Sequence, residues 1–400
     1  MTALAERLDH ITASATMAIT ARAAAMRASG VDVIPLSAGE PDLPVPDPIK
    51  KAAVDAIMAD RTGYTAVDGL PALKQAVADK FSRDNALYAG PDQVSVNSGG
   101  KHTLFTVFMA SLRPGDRVIV PAPYWVSTPA MVRLADGIPD VVPTSAETGF
   151  KLTPDALEAA ITHRTRWLVL NSPGNPTGAV YTAAELAALG AVLARHPHIW
   201  VLSDDIYEHL TFTADGHSTL AAICPDLASR TVTMNGVSKA YGMTGWRIGY
   251  CTGPKALIDA MATVQSHSTG NPCTISQIAS LAALTGDQTC LAERRAVYQA
   301  RRDMVMDALP RLPGLSALRP DGAFYIFLDA RALIGASAAD GTRIEDDTAL
   351  TRYLLEHAHV ALVPGTAFGL GGHVRLSVTA AESRLATALD RLATACNGLR

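Results

Sequence analysis

Short apolar runs alternate with longer helical patterns between about residues 90 and 255, and this alternation restricts the fold more than any other feature. Runs such as WLVL (167–170) and IWVL (199–202) are apolar on both faces, which is typical of strands covered by helices on each side. The pattern therefore predicts an α/β domain with a mostly parallel central sheet and helices on both faces. The expected strands are Gln93–Val96, Arg117–Val120, Pro139–Val142, Arg166–Leu170, Ile199–Ser203, Thr231–Met234 and Arg247–Cys251.

The pattern changes after about residue 290, where a long charged helix precedes the β-rich runs AFYIFLDA, HVALVP and HVRLSV. This part predicts a smaller α+β domain. The segment before residue 48 is too short for a core of its own, so we expect it to pack on this C-terminal part. The predicted domains are thus 48–290 and 1–47 with 291–400, with Gly335–Asp347 as a flexible insertion because it is rich in Gly, Ala and Asp.

Composition excludes several classes of function. The 400 residues are 48% hydrophobic and carry a net charge of −4 without a basic stripe, so we expect no nucleic-acid partner. No apolar run reaches the roughly 18 residues of a membrane span, so we expect a soluble chain without a membrane partner. The five cysteines are scattered and form no CxxC pair, which predicts a cytoplasmic location and no metal.

Two turns that follow predicted strands carry polar groups. In VSVNSGGKHTLF (94–105), Gly99, Gly100 and Lys101 come between a strand and a helix, where free N–H groups bind an anion such as phosphate. An ordinary strand-to-helix turn explains the same pattern. In LVLNSPGNPTG (168–178), prolines fix a turn that presents the amides of Asn171 and Asn175 at the edge of the sheet.

Two further motifs place ionisable groups at strand ends. Asp204, in VLSDDIYEHL, ends an apolar strand and needs a partner, which a pyridinium nitrogen, an arginine or a helix N-terminus would provide. Lys239, in MNGVSKAYGMTGWRIGY, follows a strand, and a desolvated lysine has a lowered pKa that suits Schiff-base chemistry. Arg247 offers a planar fork for phosphate. An isolated lysine is more often a solvated surface residue.

Together these motifs resemble the class I aminotransferases of pyridoxal 5′-phosphate (PLP) fold type I, over about residues 10 to 395. Within that family the chain resembles the bacterial aspartate aminotransferase subgroup, which includes prephenate-accepting members. The resemblance implies PLP as cofactor, amino acids and 2-oxo acids as substrates, and a homodimer with shared active sites. PLP-dependent lyases share the fold and remain an alternative. A transcriptional regulator with an aminotransferase-like domain would need a DNA-binding module, for which we expect no room.

The resemblance also assigns roles to residues of this sequence. Lys239 matches the catalytic lysine that forms an imine with the cofactor, and Asp204 matches the carboxylate that pairs with the pyridine nitrogen. The other residues matched to cofactor binding are Gly99, Gly100, Lys101, Ser238 and Arg247 at the phosphate, Trp125 on the ring face, Tyr207 and Asn175 at the phenolic oxygen, and Tyr64 at the phosphate of the neighbouring subunit.

Substrate binding is matched to Arg375, which corresponds to the arginine that clamps the α-carboxylate, and to Gly39, Trp125 and Asn175. A surface strand residue is the plainer interpretation of Arg375. One position departs from the family, since Gly236 stands where many relatives have a serine near the phosphate.

The expected reaction is a ping-pong exchange between L-aspartate and 2-oxoglutarate. In the resembling subgroup, a lysine at the position of Lys101 and hydroxyls of the N-terminal segment, here Ser14 and Thr16, are expected to bind the distal carboxylate, although helix capping explains these hydroxyls equally well. An aromatic or prephenate substrate is the alternative, and it is weakened because Thr12 is neutral where prephenate-using relatives can carry a basic residue. The stretch Gln265–Cys273, expected near the distal pocket of the partner subunit, departs from relatives at His267 and Cys273.

Overall fold

A computed structural model describes residue 5, residues 8–9, residue 11 and residues 15–400 of the chain. Its strands are β1 Ile34–Pro35, β2 Val94–Asn97, β3 Arg117–Ala122, β4 Ile138–Pro143, β5 Thr165–Asn171, β6 Trp200–Asp204, β7 Thr231–Gly236, β8 Gly249–Thr252, β9 Tyr325–Asp329, β10 Val360–Ala361, β11 Val363–Pro364 and β12 His373–Ser377. Its helices are α1 Ala15–Ala28, α2 Asp47–Met58, α3 Pro71–Asn85, α4 Gly100–Ser111, α5 Thr128–Leu134, α6 Pro154–Ala160, α7 Ala183–Ala194, α8 Leu220–Ile223, α9 Val237–Ala240, α10 Lys255–Ser266, α11 Thr274–Thr285, α12 Thr289–Ala308, α13 Asp347–His357 and α14 Glu382–Asn397.

Seven strands form the central sheet, in the order β2-β8-β7-β6-β5-β3-β4. The pairs β7–β6, β6–β5, β5–β3 and β3–β4 are parallel, and only β8 runs antiparallel to both of its neighbours. The chain order reverses between β3 and β5. In sheets of this kind such a reversal opens a crevice at the carboxyl ends of the strands, where ligands bind.

Successive residues of the buried strands belong to two different cores, because side chains alternate between the faces of a sheet. Val118 and Val120 pack with α4 and α10 on one face, whereas Ile119 between them packs with α7 on the other. Trp167 and Leu168 divide in the same way. The prediction of a mostly parallel sheet with helices on both faces is therefore confirmed.

The C-terminal part contains a three-stranded antiparallel sheet, β11-β12-β9, packed with α12, α13 and α14. The N-terminal segment joins it, since β1 pairs in parallel with β10 through Ile34 and Val360. These contacts agree with the predicted α+β part. The domain boundaries at residues 48 and 290 stay a prediction.

All seven predicted strands of the central sheet lie within two residues of the observed bounds, and one of them is predicted to start two residues too early. The strand expected from Arg247 begins at Gly249, because Arg247 has a left-handed backbone with φ of 56°, which a strand does not accommodate. In Gly335–Asp347, a β-bridge joins Ser337 and Arg343, and the mobility of this segment stays a prediction. Within the described ranges, every helix is too short or too polar to cross a bilayer.

Candidate active site

A cavity of about 520 Å³ lies at the carboxyl ends of β5, β6 and β7 and reaches the C-terminal part and α1. It brings together residues that lie up to 358 positions apart in the sequence, such as Met17 and Arg375. The sequence-predicted residues that line it are Gly39, Gly100, Lys101, Trp125, Asn175, Asp204, Tyr207, Ser238, Lys239, Arg247 and Arg375.

Lys239 lies on the short helix α9, directly after β7. Its Nζ donates a hydrogen bond of 2.6 Å to the carbonyl oxygen of Gly39. Burial lowers the pKa of Lys239 to about 8, and the positive charges of Arg375 and Arg247 also lower it. A substantial fraction of this amine is therefore neutral near physiological pH, as a nucleophile or proton acceptor requires.

Asp204 ends β6 and is almost completely buried. Burial raises the pKa of Asp204 to about 7, and the charge of the neighbouring Asp205 also raises it. Its Oδ1 accepts a hydrogen bond of 3.3 Å from the backbone N–H of Ile206. A protonated ring nitrogen in the cavity would supply the positive charge that this carboxylate needs to remain ionised.

The turn where β2 meets α4 has features that suit an anion. Gly99 has φ of +93°, and α4 begins at Gly100, so the first N–H groups of the helix lack intrahelical partners. The guanidinium of Arg247 lies so close that a Cβ added at Gly99 would overlap its Nη2. Gly99 thus permits the guanidinium to lie against the start of the helix, an arrangement suited to phosphate.

Arg375, on β12, is buried between the rings of Tyr325 and Phe368, whose centroids lie 4.5 and 4.9 Å from Cζ. It donates to Asn175 Oδ1 at 2.9 Å and to the carbonyl oxygen of Ser37 at 2.7 Å. Among the described residues its Nε has no hydrogen-bond partner. Arg375 lines the cavity, and a planar guanidinium at such a wall is suited to bind a carboxylate.

Trp125 and Lys101 form another wall of the cavity. Lys101 Nζ lies 5.2 Å from the centroid of the Trp125 ring. Burial lowers the pKa of Lys101, and the charge of Arg247 adds to this effect. Trp125 follows β3 and Asn175 follows β5, so both lie at the point where the strand order reverses.

Tyr325, on β9, lies at the site although nothing in the sequence indicated a role for it. Its hydroxyl lies 2.8 Å from the hydroxyl of Tyr207, and its ring lies under Arg375. Strand periodicity predicts only that Tyr325 faces inward, because nothing in the local sequence shows which distant residues it meets. The carboxylate of Glu40, which accepts from the hydroxyl of Thr244, was also not assigned.

Some predicted residues lie elsewhere. Tyr64 is 100% exposed and does not line the cavity of its own chain, and neither do His267 and Cys273. Gly99 contacts the site through Arg247. The predictions for Thr12 and Ser14 fall outside the described residues, as does the side chain of Thr16, whereas Met17 and Thr20 of α1 do line the cavity.

Positive charge predominates at the described cavity wall. Four cations, Lys101, Lys239, Arg247 and Arg375, line it against two carboxylates, Glu40 and Asp204. This excess favours a ligand with several anionic groups. A buried carboxylate for a ring nitrogen, an amine with a lowered pKa, an aromatic wall and a helix-start anion site together fit PLP.

Comparison with known proteins agrees with this chemistry. The family of class I and II aminotransferases matches residues 31–392. The chain belongs to this family. It is 53% identical to an aspartate/prephenate aminotransferase of Cereibacter sphaeroides over 100% of both chains.

Solved structures of aminotransferases show the same fold. The aspartate aminotransferase of Rhizobium meliloti superposes with a TM-score of 0.97 at 49% identity over 100% of both chains. That of Thermus thermophilus with maleate gives 0.92 at 43% identity, over 99% of this chain and 100% of the other. The chain is therefore a PLP-dependent aminotransferase of fold type I that acts on amino acids and 2-oxo acids, as the sequence predicted.

Proposed function

We propose that this aminotransferase transfers the amino group of L-aspartate to 2-oxoglutarate. The observation that supports the proposal is a cavity wall with three cations besides Lys239. Arg247 would bind the phosphate of the cofactor, and Arg375 would bind the α-carboxylate of the substrate. Lys101 is then available to bind the second carboxylate of a dicarboxylic substrate. The relative from T. thermophilus is described with maleate, which is also a dicarboxylate.

We assign cofactor binding to the residues that surround the cavity. Asp204 would pair with the ring nitrogen, and Tyr207 and Asn175 would hydrogen-bond to the phenolic oxygen. Trp125 would stack on the face of the ring. The phosphate would be bound by Gly99, Gly100, Ser238 and Arg247, whereas Lys101, which the sequence also matched to the phosphate, is assigned to the distal carboxylate of the substrate. When bound, PLP supplies an electron sink that stabilises negative charge developing at the substrate Cα.

The residues of the chain then perform the proton transfer. Lys239 Nζ is neutral in part because burial lowers its pKa. It would take the proton from the substrate Cα and hold it at Nζ. Arg375 fixes the α-carboxylate and thereby orients the Cα–H bond. The Gly39 carbonyl oxygen, 2.6 Å from Nζ, keeps the freed amine beside the substrate.

The segment after β1 covers this chemistry. Ser37 accepts from Arg375, Gly39 accepts from Lys239, and Glu40 accepts from Thr244. Asp42 fixes the far end of the segment to α12 through Arg301, at 2.8 Å. We propose that this segment belongs to a small domain, residues 1–47 and 291–400, that closes over the 48–290 domain and excludes water.

A second copy of the chain is proposed to complete the site. Tyr64 follows α2, where Val54, Ile57 and Met58 are also exposed, and such a patch is suited to an interface. Tyr64 would bind the phosphate in the partner. In mixtures of Tyr64→Ala and Lys239→Ala subunits, hybrid dimers should regain activity, because one site then contains both native residues. A monomer by ultracentrifugation would contradict this proposal.

A cytoplasmic location is also proposed. The five cysteines are all unpaired in the structure, and thiols persist in a reducing compartment. Fractionation of the native cells provides the test.

A half-reaction screen tests the substrate. Individual amino acids are added to the loaded enzyme, and loss of the cofactor's absorbance band is followed. Aspartate and glutamate should react fastest, and Lys101→Met should slow them but leave alanine unchanged. Faster reaction with aromatic amino acids would contradict the proposal. Prephenate is the second candidate acceptor, because the C. sphaeroides relative is named for it, and activity with aspartate as donor tests it.

A further inference from the structure

A buried polar cluster lies behind the active site, on the side of β6 that does not face the cavity. Asp204 and Asp205 are consecutive, and both are buried. The Asp205 carboxylate accepts from Ser203 Oγ at 2.6 Å and from Thr219 Oγ1 at 2.7 Å, and His217 Nε2 lies 3.0 Å from it. An aspartate at this depth requires a cation.

The cluster continues to α3. Glu208 forms an ion pair with Lys80, whose side chain is completely buried. Asn85 connects the two halves, because its Nδ2 donates to Glu208 at 2.6 Å and to Thr219 at 3.0 Å. Lys80 holds the pKa of Glu208 well below its usual range, although burial opposes this. Lys80 therefore balances Glu208, and Asp205 depends on His217 for its cation.

His217 is placed to carry that charge. Burial by itself lowers the pKa of His217, but the charge of Asp205 and its hydrogen bond outweigh burial and leave the pKa above its ordinary value. Its Nδ1 is buried and has no partner among the described residues. His217 lines a second cavity of about 290 Å³ that reaches exposed residues of α12, so protons have a route from solvent. The charged and titratable groups around it are Asp205, Glu208, Lys80, Asp84, His209 and Arg295.

We propose that His217 is a positioning residue: its imidazolium neutralises Asp205 and so keeps the neighbouring Asp204 carboxylate ionised for the ring nitrogen of the cofactor. The proposal rests on the assigned role of Asp204. Without His217, Asp205 would be an uncompensated negative charge beside Asp204, and the two carboxylates would compete for one proton. His217 touches neither substrate nor cofactor and acts through this pair.

The test is a pH titration of the absorbance of the loaded enzyme. His217→Gln keeps a hydrogen-bond donor and removes the cation. The pH at the midpoint of the absorbance change should therefore rise by about half a pH unit or more. Asp205→Asn removes the anion, so the midpoint should fall. The double variant should return to within about 0.2 unit of wild type, because both members of the pair are absent. His209→Gln, which changes a histidine on the same cavity that does not pair with Asp205, should leave the midpoint unchanged.

Melting temperature provides a second readout. The raised pKa of His217 means that its stabilisation is present below pH 6.5 and is lost as pH rises through the folded-state pKa. The difference in Tm between wild type and His217→Gln should therefore be largest near pH 6 and shrink at alkaline pH.

The proposal is overturned if this difference is independent of pH, if both single variants move the midpoint in the same direction, or if His217→Gln behaves like His209→Gln. Asp204→Asn separates the two proposals: unchanged cofactor affinity in that variant refutes the role of Asp204, whereas the Tm comparison still tests the His217–Asp205 pair.

Discussion

Replacement of Arg375 by lysine tests the substrate clamp directly. The guanidinium offers five donors, of which one binds Asn175 and one binds Ser37. Lysine keeps the positive charge but has no planar fork, and its ammonium does not serve both of these partners and a carboxylate in the same geometry. The variant thus separates bidentate binding from charge alone.

The expected decrease in kcat/KM of Arg375→Lys follows from the contacts that the substitution removes. One charged hydrogen bond to the substrate contributes about 1.5–3 kcal/mol, and a buried acceptor left without a donor costs about 1–3 kcal/mol. The unpaired acceptor destabilises the free enzyme as well, so only part of its cost affects the reaction. We therefore expect a net loss of about 2–4 kcal/mol in transition-state stabilisation. This corresponds to a decrease in kcat/KM of about 30-fold to 1,000-fold.

The assay is steady-state transamination with the loaded enzyme, with the cofactor's absorbance as a check that the site is intact. Arg302→Lys is the matched control, because Arg302 is also buried but donates to the Pro320 carbonyl oxygen, at 2.7 Å, outside the cavity. The control should lower Tm without a comparable loss in kcat/KM. If Arg375→Lys retains kcat/KM within about threefold of wild type, the clamp assignment is refuted.

Four further outcomes are expected. Lys239→Ala should abolish the absorbance band of the covalently bound cofactor and nearly all turnover, and persistence of both would remove the basis of the catalytic assignment. The rate at which PLP attaches to cofactor-free enzyme should rise with pH around a midpoint near 8, because burial lowers the pKa of Lys239 and the neutral amine reacts; a flat profile in stopped-flow absorbance would contradict this. Gly99→Ala should weaken PLP binding in equilibrium dialysis, because its Cβ displaces Arg247, whereas Gly30→Ala has a similar φ of +90° and no atom within 4 Å and should only lower stability. Hydrogen bonds from Arg384 and Arg391 lower the pKa of Asp32, so Asp32→Asn should slightly reduce Tm at pH 7 and have no effect once pH falls through the lowered pKa, a difference that calorimetry measures.

Local sequence was sufficient for much of the large sheet. The strands β5 and β6 are apolar on both faces, so burial on both sides followed from their composition alone. The start of β8 was not predictable in this way, because the left-handed backbone of Arg247 places its guanidinium against Gly99, 148 residues earlier in the chain. Boundaries set by such distant contacts leave no periodic signal in the sequence.

For the active site, the residue types with the required chemistry and their places at strand ends were predictable from the sequence: Lys239, Asp204, Asn175 and the glycine turn before α4. The partners that each of them contacts depend on the fold. Tyr325 joins Tyr207 to Arg375, and His217 pairs with Asp205 behind Asp204, through contacts between separate elements. The physical reason is that a pKa depends on burial and on nearby charges in space, and neither is a property of the local sequence.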